Sequence, residues 1–325
     1  MFRIASVGWV HPRGVITDDV LAKMGVIPSE DQRLLQRGIR HRYTVCPQPF
    51  ISRNGEVTPE QMKERFAVTA EPMVEMAVEA ARIALQRAGV TVDDIGFVLG
   101  DSATPIETIP AFAALVAGRL GAKVPAYDVT GISGAIPLQL QTLLGWREEV
   151  VAPITLLVSA NAPSAYLSYA EGDESSWVLG DSAGAMIVEK TKEQRGIIVE
   201  DARFRRVGVG VSAVEEIYGL IRGQVEPSGA LLDVVQELSD QISLEGLSSW
   251  IISSPTLRSG HAIDEMFGGS GDTFCWCGDE GFSFGSTLFR GIERLLNDAE
   301  WSGKALICAL GPDGAVGVAR LARMV

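Results

Sequence analysis

Segments that favour β-strands alternate with segments that favour α-helices along almost the whole chain, and this order limits the fold more than any other feature. The strand-like segments are short runs of apolar residues, which are typical of a sheet covered by helices on both faces. The helix-like segments carry an apolar stripe, and several end at a glycine. This alternation predicts an α/β fold with a largely parallel sheet in each half. The predicted strands are residues 2–10, 95–99, 126–129, 154–159, 183–189, 196–199, 250–253, 305–310 and 316–321, and the predicted helices are residues 71–88, 109–120, 133–144, 230–242, 260–267 and 285–298.

An internal repeat indicates that the two halves are related. Residues 179–188 (LGDSAGAMIV) resemble residues 310–318 (LGPDGAVGV), and each segment is a glycine-rich turn that leads into an apolar strand. Matching turns that close two halves rich in strands and helices favour a duplicated fold. The charged segment 191–195 (TKEQR) lies between the halves. We therefore predict an N-terminal half of residues 1–192 and a C-terminal half of residues 193–325.

Composition excludes several classes of function. Of the 325 residues, 46% are hydrophobic and 21% are charged, so a sizeable core is expected and wholesale disorder is excluded. The net charge of −13 disfavours nucleic acid and anionic membranes as partners. The four cysteines form no zinc-like ligand set, and no apolar run approaches the roughly 18 residues that span a bilayer. We expect a soluble, cytoplasmic protein with reduced thiols and no bound metal.

Several segments resemble motifs of β-ketoacyl-acyl-carrier-protein synthase III, in that family's order and spacing. They are residues 37–42 (RGIRHR), which resemble its TGI-x-x-R segment; residues 104–110 and 119–122, which resemble its next helix; residues 127–130 (YDVT), which resemble the strand before its nucleophile; and residues 179–185 (LGDSAGA), which resemble its FGDGAGA turn. The resemblance covers nearly the whole chain. It implies the thiolase-like α/β fold, in which two similar βαβαβαββ halves form a five-layer α-β-α-β-α sandwich that is normally dimeric.

The resemblance also implies a site made of a cysteine, a histidine and an asparagine. In that family a cysteine at a helix N-terminus takes an acyl group from a thioester, and the other two residues support carbanion formation and stabilise the oxyanion. The family pattern D-V-x-x-A-C-x-G matches residues 128–135, so Ser133 falls at the cysteine position; a shift of one residue would place Ile132 there. A serine hydroxyl needs a base to attack a thioester, and we expect none beside Ser133. The alternative interpretation of Ser133 is a helix N-cap or first-turn residue.

The histidine and asparagine positions also differ from the family. Its P-H-Q-A-N segment corresponds to residues 255–259, which places Thr256 at the histidine position, and a threonine cannot exchange protons near neutral pH. His261 lies further along and is interpreted either as a substitute base or as a histidine on the helix surface. The family's GNTS turn corresponds to residues 278–281, so Asp279 replaces the amide. An ionised carboxylate accepts hydrogen bonds but does not donate them to an oxyanion.

The coenzyme A channel of the family is altered as well. An adenine-stacking tryptophan and an arginine of that family correspond to Gln32 and Gln36 here, which offer neither an aromatic face nor a charge. The neighbouring Arg33 and Arg37 are the candidate substitutes for cofactor contacts. The thiol, imidazole, amide donor and adenine platform are therefore all absent from their expected positions, which predicts loss of the condensation reaction.

Three functions remain open. The first is a catalytically reduced subunit of fatty-acid or polyketide metabolism. The second is an acyltransferase in which Ser133 accepts an acyl group from a thioester. The third is an acyl-binding scaffold without turnover.

The resemblance sets the expected partners and cofactors. It implies a dimer of the chain with itself or with an active ketosynthase-III-like paralogue. It also implies an acyl-CoA or acyl-carrier-protein thioester as substrate, with no tightly bound cofactor. A basic cluster at residues 203–206 (RFRR) is interpreted as either a docking site for a carrier protein or a solvated strand end.

Overall fold

The computed structural model describes residues 1–27, 39–47, 58–105, 109–170, 173–207, 225–268 and 280–324, together with the backbone of short strands at residues 214–217, 220–223 and 272–275. The strands are β1 (Phe2–Val10), β2 (Gly14–Thr17), β3 (His41–Thr44), β4 (Phe97–Asp101), β5 (Ala126–Asp128), β6 (Ile154–Asn161), β7 (Ser182–Lys190), β8 (Gly196–Arg206), β9 (Val214–Ile217), β10 (Leu220–Gly223), β11 (Leu247–Ser253), β12 (Asp272–Cys275), β13 (Gly303–Leu310) and β14 (Ala315–Met324). The helices are α1 (Asp18–Lys23), α2 (Pro59–Ala88), α3 (Phe112–Leu120), α4 (Ala135–Gly145), α5 (Ser175–Val178), α6 (Gly229–Asp240), α7 (Leu257–Met266) and α8 (Thr287–Asn297).

Ten of the described strands form one sheet in which the second half repeats the first. The order β1-β7-β6-β4-β5 in the first half is matched by β8-β14-β13-β11-β12 in the second. Each set has two antiparallel pairings followed by two parallel ones. Strands β1 and β8 pair over Phe2–Ile4 and join the two sets. This repetition confirms the duplicated α/β fold, while the division between residues 192 and 193 stays a prediction.

The sheet is mixed, so the expectation of a largely parallel sheet in each half is wrong. Strands β13 and β14 are joined by the four residues 311–314, and a connection this short joins antiparallel strands. A continuous apolar run indicates that a strand is buried on both faces, but it does not report the direction of the strand.

Helices cover the outer faces of both strand sets and fill the space between them. Helices α2 and α3 pack on the first set, where Val98 and Phe112 are buried. Helices α6 and α7 cover the second set around Leu306. Between the sets lie α4 and α8, whose Leu140 and Ile292 share one core with residues from both halves. The layers therefore follow the predicted α-β-α-β-α order.

Helix α2 begins at Pro59 rather than at residue 71. The Thr58 side chain accepts the backbone N–H of Gln61 at 3.3 Å, and the Gln61 side chain accepts the Thr58 N–H at 3.1 Å, which forms a capping box. Pro72, which the sequence places in the first turn, lies inside the helix. The turns before it are held by packing, since Met62 is buried, and this offsets a proline cost of about 3 kcal/mol. Neither α2 nor any other helix in the described ranges is long and apolar enough to cross a membrane.

Candidate active site

A strained turn links β5 to α4 and carries Ser133. Ile132 has φ +52°, in the left-handed region that β-branched residues rarely adopt and that costs about 1–3 kcal/mol. The Asp101 carboxylate stabilises this turn because its Oδ1 accepts the backbone N–H groups of Gly131 and Ile132, each at 3.0 Å. Ser133 is consequently held in a 3-10 turn immediately before α4.

The Ser133 hydroxyl is completely buried and donates a hydrogen bond to Asp313 Oδ1. Asp313 lies in the tight turn between β13 and β14, so this contact joins the two halves of the fold. Ser133 is not the N-cap of α4, because Gly134 holds that position. The expectation that no proton acceptor lies beside Ser133 is therefore wrong: a carboxylate lies there.

Gly311 allows the β13–β14 turn to approach Ser133 this closely. A Cβ atom on Gly311 would lie 1.7 Å from Ser133 Oγ and 2.5 Å from Asp313 Oδ1. On the opposite side, a Cβ atom on Gly134 would lie 2.7 Å from the Phe204 ring. Gly311 therefore lets the β13–β14 turn approach the hydroxyl, and Gly134 lets the Phe204 ring of β8 pack against the start of α4.

Burial raises the pKa of Asp313 to about 6, although the Ser133 hydroxyl and the Arg206 guanidinium favour its charged form. Arg206 Nη2 lies 3.8 Å from Asp313 Oδ2, and Oδ2 has no hydrogen-bond partner among the described residues. The backbone N–H of Ser133 also favours the charged carboxylate. Near neutral pH, the Ser133 hydroxyl thus faces a largely ionised carboxylate that can accept a proton.

A second buried carboxylate, Asp101, lies behind the turn. Burial raises the pKa of Asp101 to about 7; hydrogen bonds from the Ser159 hydroxyl and from two backbone N–H groups oppose this shift, and the charge of Asp313 adds to it. Ser159 Oγ donates to Asp101 Oδ2 at 2.8 Å, and Asn161 Nδ2 donates to Ser159 Oγ at 3.2 Å. Two carboxylates therefore interact electrostatically around the start of α4.

The second half repeats the strained turn without the hydroxyl. Phe284 has φ +51° and precedes α8 much as Ile132 precedes α4. The residue that corresponds to Ser133 is Gly285, and a Cβ atom there would lie 2.6 Å from Ala135 Cβ. The start of α8 is therefore in close contact with the start of α4. At this position the turn before α4 carries the Ser133 hydroxyl, and the turn before α8 carries a glycine.

Thr256, which the sequence comparison predicts at the position of the family histidine, caps helix α7. Its Oγ1 accepts the backbone N–H of Ser259 at 3.2 Å and donates to the Glu226 carboxylate at 2.7 Å. The Ser254 hydroxyl donates to the Thr256 carbonyl at 2.7 Å. These contacts order the start of α7, and the Thr256 side chain acts there as the N-cap.

His261 lies on the exposed surface of α7, in agreement with one of its two interpretations. The hydrogen bond of the Ser133 hydroxyl goes to Asp313 instead. Asp279, Arg33 and Arg37 lie outside the described residues, so their proposed roles stay predictions.

The described thiols lie away from Ser133 and are expected to be unreactive. Cys46 and Cys308 are free and buried, and burial raises the pKa of each thiol to about 12. Such thiols are protonated at neutral pH and are poor nucleophiles. Cys275 lies on the edge strand β12, and Cys277 lies outside the described residues.

Each arginine of the basic cluster has an acidic neighbour. Arg203 Nη1 lies 2.9 Å from Asp201 Oδ1, Arg205 forms an ion pair with Glu237, and Arg206 faces the site carboxylate described above. These pairs fit the interpretation of a partly solvated strand end, and docking of a carrier protein there stays a prediction.

Sequence reasoning did not single out Asp313 or Asp101, although one signal pointed to Asp313. In the internal repeat, Ser182 of the first copy corresponds to Asp313 of the second. Ser182 Oγ lies 2.8 Å from Ser286 Oγ, one residue after the Gly285 position, and Asp313 contacts Ser133 in the corresponding turn before α4. Alignment of the repeat with the two turns would therefore have placed Asp313 near the turn before α4.

Several proteins with a related sequence are named β-ketoacyl-acyl-carrier-protein synthase III. No protein-family model matches the chain. The β-ketoacyl-acyl-carrier-protein synthase III of Sinorhizobium medicae is 28% identical over 208 residues, which cover 62% of this chain and 56% of the relative. That of Anaplasma marginale is 30% identical over 191 residues, which cover 58% of this chain and 51% of the relative. The chain thus spans about half the length of the curated relatives that it matches.

Solved structures of ketosynthases have the same fold over the whole chain. The 3-oxoacyl-acyl-carrier-protein synthase III of Aquifex aeolicus superposes with a TM-score of 0.77 at 18% identity, over 99% of this chain and 100% of that one. A priming β-ketosynthase of a polyketide pathway gives a TM-score of 0.79 at 18% identity, over 100% of this chain and 96% of that one. The chain has the thiolase-like fold of these enzymes and is similar, over part of its length, to β-ketoacyl-acyl-carrier-protein synthase III.

Proposed function

We propose that this chain is a ketosynthase-III-like subunit of fatty-acid or polyketide metabolism that does not itself catalyse condensation and that pairs with a condensing partner. One observation carries the proposal: at the position of the family nucleophile lies a buried serine hydroxyl that is hydrogen-bonded to a carboxylate. The related sequences and the shared fold support the metabolic class.

The charge beside Ser133 opposes thioester chemistry. Attack on a thioester places negative charge on the carbonyl oxygen, and this charge needs hydrogen-bond donors or positive groups nearby. The Asp313 carboxylate is an acceptor, and its negative charge repels an oxyanion. Thr256, at the histidine position, is occupied as a helix cap. The described groups therefore favour retention of the resting serine over formation of an acyl intermediate.

An exposed edge of the sheet supports pairing with a second chain. Strand β5 ends the ten-stranded sheet, so one side of its backbone is unpaired within the described chain. Tyr127, within β5, has 51% of its surface exposed, and Ile109, shortly before α3, has 85% exposed. Unpaired edges with exposed apolar side chains favour pairing with another strand. A second ketosynthase-III-like chain, identical or paralogous, is the proposed occupant of this edge.

The proposed substrate is an acyl thioester, carried by coenzyme A or an acyl carrier protein and held by the assembled dimer without a tightly bound cofactor. The test is co-purification with a cysteine-containing ketosynthase III from the same genome, followed by an assay of condensation from acyl-CoA and malonyl carrier protein. We expect no product from this chain alone and product from the complex.

A matched pair of variants tests the pairing surface. Tyr127→Glu places a charge beside the β5 edge and is expected to abolish co-purification, whereas Leu244→Glu, on an exposed loop of the second half, is expected to leave it intact. Condensation by this chain alone would overturn the proposal, and so would a complex that persists with Tyr127→Glu.

A second candidate function is favoured by the same hydrogen bond. Asp313 could take the proton of Ser133 while Oγ attacks the thioester carbon, and the departing thiolate would then receive a proton from solvent. The base would be Asp313 rather than His261. Intact-mass spectrometry after incubation with acyl-CoA separates the two functions, because only this second one leaves an acyl group on Ser133.

A further inference from the structure

A cleft of about 430 Å³ lies at the end of the sheet opposite the Ser133 site. Strand β1 runs parallel to β6 and β4, so its start at Arg3 lies at the opposite edge from Asp101, which ends β4. Strands β1 and β8 pair only over Phe2–Ile4 and then separate. The cleft is therefore formed at the seam between the two halves, a common place for ligand sites.

Four arginines and a single glutamate line this cleft in a chain of net charge −13. They are Arg3, Arg87, Arg195, Arg323 and Glu189. Arg3 Nε donates to Glu189 Oε2 at 3.0 Å, so that pair is close to neutral. Arg87 forms an ion pair with Glu293, and Glu193 Oε2 lies 4.0 Å from Arg3 Nη1. The positive character of the cleft therefore comes mainly from Arg195 and Arg323.

Arg323 is held by backbone carbonyls and an aromatic ring, with no acidic side chain paired to it among the described residues. Its Nη1 donates to the Asp298 carbonyl at 2.8 Å, its Nη2 donates to the Leu295 carbonyl at 2.9 Å, and its Cζ lies 5.3 Å from the centre of the Trp301 ring. Carbonyls at a helix C-terminus carry only partial negative charge, so most of the charge on the guanidinium is left uncompensated. A cation fixed in this way is already oriented for an anion.

Arg87 and Arg195 complete the set from two other elements. Arg87, at the end of α2, donates to the Val7 carbonyl at 2.6 Å and forms an ion pair with Glu293. Arg195 is exposed and forms no ion pair within the described part of the chain. Arg195 therefore brings a full, adaptable charge to the rim.

We propose that this cleft binds a small molecule that carries two or more phosphate groups and is about the size of a nucleotide. The volume of the cleft falls within the range of small-ligand sites. A guanidinium from either half can donate two hydrogen bonds to the oxygens of one phosphate group. Such a ligand bridges β1 and α2 of one half with β14 of the other. It would therefore link the occupancy of this site to the packing of the two halves.

The test is isothermal titration calorimetry of the purified chain at low ionic strength with pyrophosphate, ADP and adenosine. We expect binding of pyrophosphate and ADP that weakens with salt, and no binding of adenosine. Arg195→Glu is expected to weaken binding roughly tenfold or more, because it replaces a cation with an anion and breaks no recorded contact. The matched control is Arg205→Glu, an exposed arginine outside the cleft, which should bind as the native chain does.

Three results would overturn the proposal: no binding of pyrophosphate or ADP below about 1 mM, equal affinity for adenosine, or unchanged affinity in Arg195→Glu. ADP that binds more tightly than pyrophosphate supports a nucleotide, and the reverse supports an inorganic or simpler organic phosphate. The readout is independent of Ser133, so it does not depend on the proposed function.

Discussion

Replacement of Asp313 by asparagine removes a buried charge beside Ser133 and keeps an oxygen that can accept the hydroxyl. We expect Asp313→Asn to be more stable than the native chain at neutral pH, with a smaller gain in acid. The reason is that burial raises the pKa of Asp313 from 3.8 to about 6, so folding makes this carboxylate harder to ionise.

Proton linkage gives the magnitude of this effect. Between about pH 4 and pH 6, the folded protein holds a proton on Asp313 that the unfolded chain has released, so the free energy of unfolding falls as the pH rises through this window. The full effect is about 3 kcal/mol, of which about 1 kcal/mol falls between pH 5 and pH 7. Burial also raises the pKa of Asp101 to about 7 and that of Asp181 to about 6, and both carboxylates retain a slope of the same sign in the variant.

Urea unfolding followed by tryptophan fluorescence, at about pH 5 and pH 7, measures this difference. Asp93→Asn, an exposed carboxylate, serves as the control and should keep the native pH dependence. If Asp313→Asn showed the same pH dependence as the native chain, its carboxylate would not be buried against Ser133, and the reasoning about the site would be refuted.

Three further predictions concern Ser133, the glycine beside it and the cap of α7. Gly311→Ala should lower the free energy of unfolding by about 1–3 kcal/mol in urea unfolding, since its methyl group would meet Ser133 Oγ, and Ser133→Gly in the same chain should recover part of the loss. In Ser133→Cys, the Asp313 carboxylate should raise the pKa of the new thiol, so its alkylation by iodoacetamide should be slow. Adding Asp313→Asn should speed up the alkylation by about tenfold. Equal rates in the two variants would argue against the contact. Thr256→Ala should cost about 1 kcal/mol and Thr256→Ser much less in the same unfolding assay, because the side chain caps α7; equal losses would argue against capping.

Local sequence patterns predicted many of the strands and helices correctly. The first strand runs over Phe2–Val10, as predicted, because its apolar residues are covered on both faces. The repeated glycine-rich turn correctly indicated duplication, since it leads into the equivalent strand of each half, β7 in the first and β14 in the second. Strand direction could not be predicted in this way, because burial sets the apolar pattern whichever way a strand runs.

The candidate site was harder to predict because its main contact joins distant parts of the chain. The family pattern correctly located Ser133 before a buried helix. Its partner Asp313 lies 180 positions away, and only the topology of the second half brings it there. The preference of proline for the first turn of a helix led to a predicted start of α2 at residue 71, but Pro72 lies inside the helix. Tertiary packing overrode this local preference.

The most direct test of the proposed role is intact-mass spectrometry of the native chain after incubation with acyl-CoA and with acyl carrier protein thioesters near neutral pH. We expect no mass increase on Ser133 from the chain alone. An acyl adduct on Ser133 that disappears in Asp313→Asn would contradict the inactive-subunit role and would establish these two residues as an acyl-accepting pair.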